Sequence, residues 1–285
     1  MNHFVITNLW VVLLAGFSFN GISQQLNTVH SPTLKSYPFF NGDFIKAEEV
    51  KSIHTMVMYK MPNRRIRNSQ VSQKFNFDRR GNVYECQEIL VSGMKIKTSF
   101  FLNKTGLLAT IHLENSYKDE LKTFFYNEQG FVTRIESADG KNGKMLLEEK
   151  FKYEYFSGGQ YKKYYLNDEG LTYKYEVVDV DSSGRIIETR SRNIRGVNRE
   201  YATFKYDQKV LVMLSVNTKN VTRREERYEM DYDRDWKLQT ANYLVDAAPV
   251  YRYEYLYENG VIIAILRKNL QTQEIQITKL KYTFY

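Results

Sequence analysis

The sequence predicts an all-β protein, an antiparallel meander of about eighteen strands in hairpin repeats of about 25 residues that form one long twisted or curled sheet. Three observations predict it. The chain has 23 Tyr and 17 Phe but only 4 Pro, a composition that favours strands. A short motif returns at a nearly fixed spacing, and apolar and polar residues alternate on both sides of it.

The first 23 residues are interpreted as an export signal. They carry no charged side chain, and residues 9–19 form an apolar run too short to span a bilayer. Gly21 and Ser23 supply the small residues of a cleavage site. We therefore expect a signal peptide over residues 1–23, cleavage near Ser23, and a periplasmic or secreted protein without a transmembrane segment after signal removal. An N-terminal anchor that is never cut is the alternative.

The remaining elements follow in chain order. Residues 24–60 are expected to form an N-terminal loop, a short helix near residues 43–50 and a first strand at about residues 52–60. Residues 61–285 are expected to form the hairpin array, which ends in a strand at about residues 274–284. Because no linker interrupts the pattern, we expect a single elongated or curled domain.

The array is predicted from eight copies of one motif, in which aromatic or apolar residues lead into a turn that Asp or Asn often opens and Gly often closes. The marker position of the closing glycine recurs at intervals of 24 to 29 residues. The residues predicted to build these turns are Asp78, Gly81, Asn103, Gly106, Asn127, Gly130, Gly159, Asp181, Gly184, Asp207, Asp233 and Gly260.

The alternation around each turn predicts its geometry. The positions one and three before the turn are apolar in every copy, which indicates strands with one buried face. In a type I turn the opening Asp or Asn bonds nearby backbone, and the fourth residue takes a positive φ where the chain rejoins the strand through a bulge. The sequence therefore predicts positive φ at Gly81, Gly106, Gly130 and Gly184.

This pattern resembles the YD-repeat (RHS-like) family, whose units carry an aromatic residue, then Asp, two residues and Gly. The resemblance covers about residues 71–268, and the strict Tyr-Asp pair occurs at Tyr206-Asp207 and Tyr232-Asp233, both without the following Gly. Large members form hollow β-shells around toxins and cleave themselves at a dedicated motif that this chain lacks. The resemblance is to small secreted members, and it implies a repeat architecture with an exported binding or structural role.

Catalytic and metal-binding motifs do not emerge from the sequence. Asp179, Asp181 and Gly184 imitate the start of a calcium loop, but Arg190 stands where such a loop needs a bidentate Glu. The four histidines show no ligand-like pairing, and Cys86, the single cysteine, is interpreted as a packed strand residue. We expect no metal, no cofactor and no enzymatic activity. One alternative stays open, namely that two carboxylates distant in sequence come together on folding and act as an acid–base pair.

Three aromatic stretches, residues 151–156, 161–165 and 251–257, interleave rings with charged side chains. Exposed rings stack on sugars or unpaired bases, whereas rings of one parity form the apolar face of a sheet. Most rings of these stretches occupy the same alternate strand positions as Phe75 and Phe100. This favours the interpretation that they form the apolar face of the sheet. Nucleic acid is not an expected partner, because the net charge of +8 is spread over 41 basic and 33 acidic residues.

The leading hypothesis is an exported, non-enzymatic β-repeat protein of the bacterial cell envelope, acting as a protein-interaction or structural module. Its expected partner is another envelope or secreted protein. A carbohydrate-binding module that holds a glycan with exposed tyrosines is the alternative. An outer-membrane β-barrel is a weaker alternative, because polar residues five places before several turns shorten any apolar band.

A candidate partner-binding site lies in the two longest connections between predicted hairpins. Their arginines would meet at one edge of the sheet and attract an anionic partner, with a charged rim that prevents aggregation as the alternative. These residues are Arg190, Arg192, Arg195, Arg199, Arg223, Arg224 and Arg227.

Overall fold

The computed structural model describes residues 42–156, 158–195, 198–207, 210–219, 223–234 and 237–285. The predicted signal peptide and most of the predicted N-terminal loop lie outside these residues. No helix in the described part of the chain is long and apolar enough to cross a membrane. The elements are α1 (Gly42–Ala47), β1 (Val50–Lys60), β2 (Arg67–Phe77), β3 (Val83–Ile89), β4 (Lys95–Leu102), β5 (Leu108–Asn115), β6 (Asp119–Tyr126), β7 (Val132–Asp139), β8 (Met145–Phe156), β9 (Gln160–Leu166), β10 (Thr172–Val180), β11 (Ile186–Asn193), β12 (Asn198–Asp207), β13 (Val210–Lys219), β14 (Arg223–Tyr232), β15 (Leu238–Val245), β16 (Ala248–Glu258), β17 (Val261–Asn269) and β18 (Ile275–Phe284).

The eighteen strands form one antiparallel meander, as predicted, in which each strand pairs with the next along the chain. The predicted long twisted or curled sheet closes on itself, which the sequence does not indicate. β1 pairs with β2 on one edge and with β18 on the other, so the sheet closes into a barrel. The side chains of Ser52 and Thr283 meet across this seam, with 2.8 Å between their hydroxyl oxygens. Closure joins residues more than 200 positions apart, and a 25-residue period contains no information on such a contact.

The barrel has two different ends. At the turn end, the repeat turns join β2 to β3, β4 to β5 and each later even-numbered strand to the next, up to β16 and β17. At the return end, the remaining connections join odd-numbered strands to the following even-numbered ones. β1 begins at the turn end, where the backbone N–H of Tyr285 donates to the carbonyl of Glu49 over 2.9 Å.

The repeat turns have the predicted chemistry. Asp78 Oδ1 accepts hydrogen bonds from the backbone N–H groups of Arg80 and Asn82, both at 2.9 Å, and Asn103, Asn127 and Asp181 make equivalent pairs of bonds. The φ angles of Gly81, Gly106, Gly130 and Gly184 are 86°, 82°, 81° and 77°. The turn at Gly159 (φ 78°) also uses Gly158, and that at Gly260 (φ 82°) is a two-residue turn with Asn259 (φ 48°). At the turn of Asp233, its Oδ1 accepts a hydrogen bond from the backbone N–H of Lys237. The turn after Asp207 includes residues 208 and 209, which lie outside the described residues.

Replacing a repeat glycine with valine should therefore destabilise the barrel. At Gly106 and Gly184 an added Cβ meets no atom within 4 Å, so the loss comes from the positive φ alone. We expect each Gly→Val variant at Gly81, Gly106, Gly130 or Gly184 to lose about 1–3 kcal/mol of unfolding free energy in denaturant titration. Ser183→Val, beside Gly184, is the control and should lose less than about 0.5 kcal/mol. Wild-type stability in all four glycine variants would contradict the assigned turns.

One face of every strand points into the barrel and carries the core. Fully buried inner side chains gather at the turn end, including Phe77, Val132, Leu238 and Ile262, each with no exposed surface. Helix α1 precedes β1 at this end, and Ile45, 1% exposed, packs into the same core. The turn end is therefore closed by apolar side chains.

The repeat tyrosines connect neighbouring hairpins. Tyr232 precedes its turn and donates its hydroxyl to the carbonyl of Leu211, in the hairpin before it, over 2.8 Å. The same bond to a carbonyl 18 to 21 residues upstream is made by Tyr126, Tyr153, Tyr206, Tyr257 and Tyr282. Each buried hydroxyl thus has an acceptor, which explains why Tyr rather than Phe leads into many of the turns.

Candidate functional site

The inner face changes from apolar to polar towards the return end. Strand register assigns these polar side chains to the same face as Phe75, Phe124 and Tyr253, but nearer the return connections. Inner-face polar side chains that are less than 9% exposed include Gln73, Glu120, Ser137, Lys163, Ser191 and Gln276. Inner side chains near the return connections, such as Lys174 and Glu149, are partly exposed, in contrast to the core at the turn end.

Lys163 on β9 is the most buried charged side chain in the described part of the chain, with 1% of its surface exposed. Its Nζ lies 4.1 Å from the ring centroid of Phe151 and 5.0 Å from that of Tyr165. Among the described residues, Nζ has no hydrogen-bond partner. The two neighbouring strands place Tyr153 and Glu176 opposite Lys163. A buried ammonium held by ring faces therefore retains its N–H donors for another group.

The surroundings of Lys163 lower its pKa. Burial lowers the pKa of Lys163 to about 8, Glu176 and Glu149 oppose this change, and Lys174 adds to it. Tyr165 donates its hydroxyl to Glu176 Oε2 over 3.3 Å, and burial followed by Glu176 raises the pKa of Tyr165. Burial lowers a lysine pKa because the charged form loses its hydration.

A second polar pair lies on the inner face of β2 and β3. Gln73 Nε2 donates to Glu88 Oε1 over 2.5 Å, and burial raises the pKa of Glu88 although this bond lowers it. Cys86 is 2% exposed in the adjoining core, and burial followed by Glu88 raises the pKa of its thiol. Both polar atoms of the pair are satisfied, so this pair contributes to structure rather than to a site.

The arginines of the candidate site whose side chains are described do not all lie on one face of the wall. Arg190 lies on the outer face and contacts Asp179 at 2.5 Å and Glu188 at 2.8 Å. Arg224 faces inwards beside Glu226, whereas Arg227 faces outwards beside Glu229, each pair at 3.1 Å. The wall separates the two faces, and the carboxylates neutralise much of the charge. Arg192 lies on the outer face, Arg195 is exposed in its connection, and the side chains of Arg199 and Arg223 lie outside the described residues.

The calcium-like segment functions as a turn. Asp181 Oδ2 contacts Arg185 Nη2 at 2.6 Å, and Asp179 pairs with Arg190, so both carboxylates already have cationic partners. The hydrogen bonds from Ser183 and Arg185 lower the pKa of Asp181, although burial opposes them. Within the described ranges, no group of three His, Cys, Asp or Glu side chains is arranged to hold a metal ion.

Ion pairs connect neighbouring strands on the outer face, which also exposes Phe101 and Leu256. Lys97 Nζ lies 3.7 Å from both Glu85 and Glu114, which joins β3, β4 and β5 across the outside of the wall. Arg134 connects Glu136 and Glu148 in the same way on β7 and β8, at 3.3 and 3.7 Å.

Most rings of the three aromatic stretches belong to the inner face. Phe151 and Tyr165 pack edge to face with centroids 5.3 Å apart, and Tyr243 stacks on Tyr251 at 6.0 Å. An outward pair also exists, Tyr164 and Tyr175, with centroids 6.2 Å apart.

Sequence reasoning missed Lys163, because Lys162 and Lys163 are consecutive and both read as solvated charge. Strand parity was the available signal: Lys163 shares the parity of Tyr161 and Tyr165, so it must point inwards when those rings do.

No family model and no curated protein matches this chain. Among solved structures, a porin-like protein from Bacteroides uniformis is similar over 83% of this chain and 97% of its own, with 9% identity and a TM-score of 0.42. The TcdB2-TccC3-Cdc42 structure is similar over 76% of this chain and 14% of its own, with 12% identity and a TM-score of 0.35. A putative outer membrane lipoprotein-sorting protein domain from Vibrio parahaemolyticus is similar over 85% and 91%, with 12% identity and a TM-score of 0.19. The barrel assignment therefore rests on the strand pairings of this chain alone.

Proposed function

We propose that this chain is an exported, non-enzymatic binding protein: a water-exposed β-barrel that takes a polar ligand group at its return end, against Lys163. The buried ammonium without a hydrogen-bond partner carries the proposal. An unsatisfied buried donor costs about 1–3 kcal/mol, and a charged donor costs more. A ligand oxygen at Nζ would remove this cost in the bound state.

The shape of the barrel supports binding at the return end. The turn end is filled by the core and by Ile45, whereas inner side chains near the return connections, such as Lys174 and Glu149, are partly exposed. Lys163 lies between these two regions. A ligand that enters from the return end reaches the lysine before it meets the core. The ligand is expected to carry carboxylate, phosphate or hydroxyl oxygens.

Ion pairs on the outer face support a barrel whose outer surface lies in water. A membrane barrel presents an apolar band to lipid, and charged side chains at mid-depth there are costly. Here Lys97, Arg134 and Arg252 each pair with carboxylates on the outside. We therefore favour a water-exposed barrel over a lipid-embedded one. Export and the lack of an enzymatic role rest on the sequence, which has a leader-like start and no catalytic motif.

A carbohydrate-binding role is the second candidate. The outward pair Tyr164 and Tyr175 favours it, because Tyr164 also donates to Glu154 Oε2 over 2.5 Å. Two rings beside a carboxylate are a common platform for sugar hydroxyls. Binding to a glycan array that is lost in Tyr164→Ala and Tyr175→Ala, but kept in Lys163→Met, would favour this role.

The principal test compares two neighbouring lysines of β9. Lys163 faces inwards and Lys162 faces outwards, so Lys162→Met is a matched control for Lys163→Met. Tagged full-length proteins are expressed at native level, and species that co-purify are identified by native mass spectrometry. We expect a bound species in the wild type and in Lys162→Met, and its loss in Lys163→Met.

Two outcomes contradict the proposal. Equal retention of every bound species in Lys163→Met would exclude Lys163 as a binding residue. Recovery of the protein only in a detergent-extracted membrane fraction would exclude the water-exposed barrel.

A further inference from the structure

The two ends of the barrel expose different side chains at their tips. At the turn end, the tips of four repeat turns are polar and exposed, and they are Arg79-Arg80, Lys104-Thr105, Glu128-Gln129 and Ser182-Ser183. At the return end, several connections expose large apolar side chains instead. Tyr117 and Val91 are 90% and 78% exposed, the highest values among large hydrophobic side chains in the described part of the chain. Apolar tips that gather at one end indicate a contact surface there.

Four neighbouring connections at the return end share this character. They join β1 to β2, β3 to β4, β5 to β6 and β7 to β8, and we call them together the basic rim, residues 61–66, 90–94, 116–118 and 140–144. Successive members are two strands apart along the wall, about 10 Å. The register pairs Ile96 with Asn115 and Glu120 with Asp139, so the last three hairpins turn at nearly the same level along the strands.

The basic rim has charge of one sign. Its basic side chains are all exposed, it contains no acidic residue, and its cations are Arg64, Arg65, Lys118, Lys141 and Lys144. Among the described residues, only Lys118 of these five has a carboxylate partner, Glu120 at 2.6 Å. The return connections at residues 167–171, 246–247 and 270–274 have the opposite composition, with four acidic residues and no basic one. The positive charge is therefore confined to one sector of the return end.

In this sector, cations and apolar side chains alternate along the chain. Ile66, which is exposed, lies between Arg65 and Arg67, and Tyr117 directly precedes Lys118. A protein interface gathers apolar residues into a core from which charged residues are depleted. A bilayer surface has anionic headgroups directly above an apolar layer, so it accepts a ring and a cation side by side. The arrangement in the rim matches a lipid surface.

We propose that the basic rim docks the return end of the barrel on a membrane surface that contains anionic phospholipid. Val91 and Tyr117 lie at the level of the headgroups, and the arginines and lysines of the rim lie among the phosphates. The wall remains in water, because only the connections touch the lipid. Lys163 lies on β9, outside the rim, so this inference does not depend on its role.

Vesicle binding of the full chain, measured by co-sedimentation, is the first test. Vesicles of phosphatidylcholine with about 30% phosphatidylglycerol should bind the protein at least about tenfold more tightly than vesicles of phosphatidylcholine alone. Binding to the anionic vesicles should weaken between about 50 mM and about 500 mM salt, because salt screens exposed charges. Release by salt without detergent is expected for a barrel whose wall is not embedded.

Two exposed arginine pairs at opposite ends of the barrel provide a matched control. Arg64→Glu with Arg65→Glu, in the basic rim, should weaken binding to anionic vesicles at least about tenfold. Arg79→Glu with Arg80→Glu, at the turn end, changes the net charge equally and should weaken it less than about twofold. All variants share residues 1–41, so a difference between the two pairs reports on the rim.

A polarity-sensitive dye locates the apolar tip in the bilayer. The dye on Tyr117→Cys should shift its emission to the blue when anionic vesicles bind. Leu256→Cys, on the outer wall and 43% exposed, is the control and should show no shift. Cys86 is buried and should not react with the dye.

Three outcomes overturn the proposal. The first is a protein that does not bind vesicles, or binds neutral and anionic vesicles equally. The second is an equal loss of binding in the two arginine-pair variants, because the charge of the whole chain would then determine binding. The third is a bound protein whose dye at Tyr117→Cys shows no shift. Capture of an acidic protein that requires Arg64 and Arg65, without vesicle binding, would assign the rim to a protein partner and equally reject the lipid surface.

Discussion

Lys163→Met should stabilise the folded barrel at neutral pH. The pKa of Lys163 is about 8 in the folded protein, below its ordinary value of 10.5. That difference corresponds to about 3 kcal/mol by which folding disfavours the charged side chain. Methionine has a similar length and no charge, so denaturant titration at about pH 7 should show a gain of up to about 3 kcal/mol.

The gain should decrease as the pH rises. The unfolded chain keeps Lys163 protonated up to about pH 10.5, while the folded barrel releases the proton above about pH 8. Between these values the unfolded state binds more protons, so wild-type stability increases with pH and approaches that of the variant. Below about pH 8 the difference is complete. A Lys163→Met gain that is zero or constant from about pH 6 to pH 9.5 would contradict the assigned burial.

Ile53→Ala should cause the largest loss of stability at the seam of the barrel. Ile53 has no exposed surface and lies on β1, between Phe75 on β2 and Tyr282 on β18. Truncating a buried Ile to Ala costs about 2–5 kcal/mol, because the cavity left behind does not collapse fully. Hydrogen exchange should increase most at the amides of β1 and β18.

Met56→Ala on the same strand is the control. Met56 points to the other face of the wall, so its truncation should cost less than about 1 kcal/mol and leave exchange at the seam unchanged. Equal losses in the two variants would mean that β1 does not close the barrel.

The repeat architecture could be predicted because its causes are local. A hairpin turn depends on a few residues, so Asp78 and Gly81 indicate their own hydrogen bonds and φ angle. Alternation along a strand likewise assigns Phe75 and Phe77 to one buried face. These features need no knowledge of distant parts of the chain.

Closure and the candidate site depend on distant contacts. Whether β1 meets β18 depends on the accumulated twist of all the strands between them, so no short segment of the sequence indicates it. Lys163 acquires its burial only when the wall surrounds it, and Arg224 and Arg227, from one predicted connection, lie on opposite faces of that wall. Strand parity in the sequence assigns Lys163 to the face of Tyr161 and Tyr165, but how deeply that face is buried depends on closure of the wall.

The seam between β1 and β18 has a consequence for how such proteins change in size. It contains ten register pairs, compared with eight between β12 and β13, so the joint is as extensive as the links within the array. A closed sheet has no terminal repeats with unpaired edges, whereas a linear solenoid has them and requires capping repeats. Duplication or loss of one hairpin would change the circumference by two strands and leave the seam intact. Related proteins that gain or lose a repeat can therefore differ in barrel diameter, while every pair of neighbouring strands is still joined by antiparallel pairing.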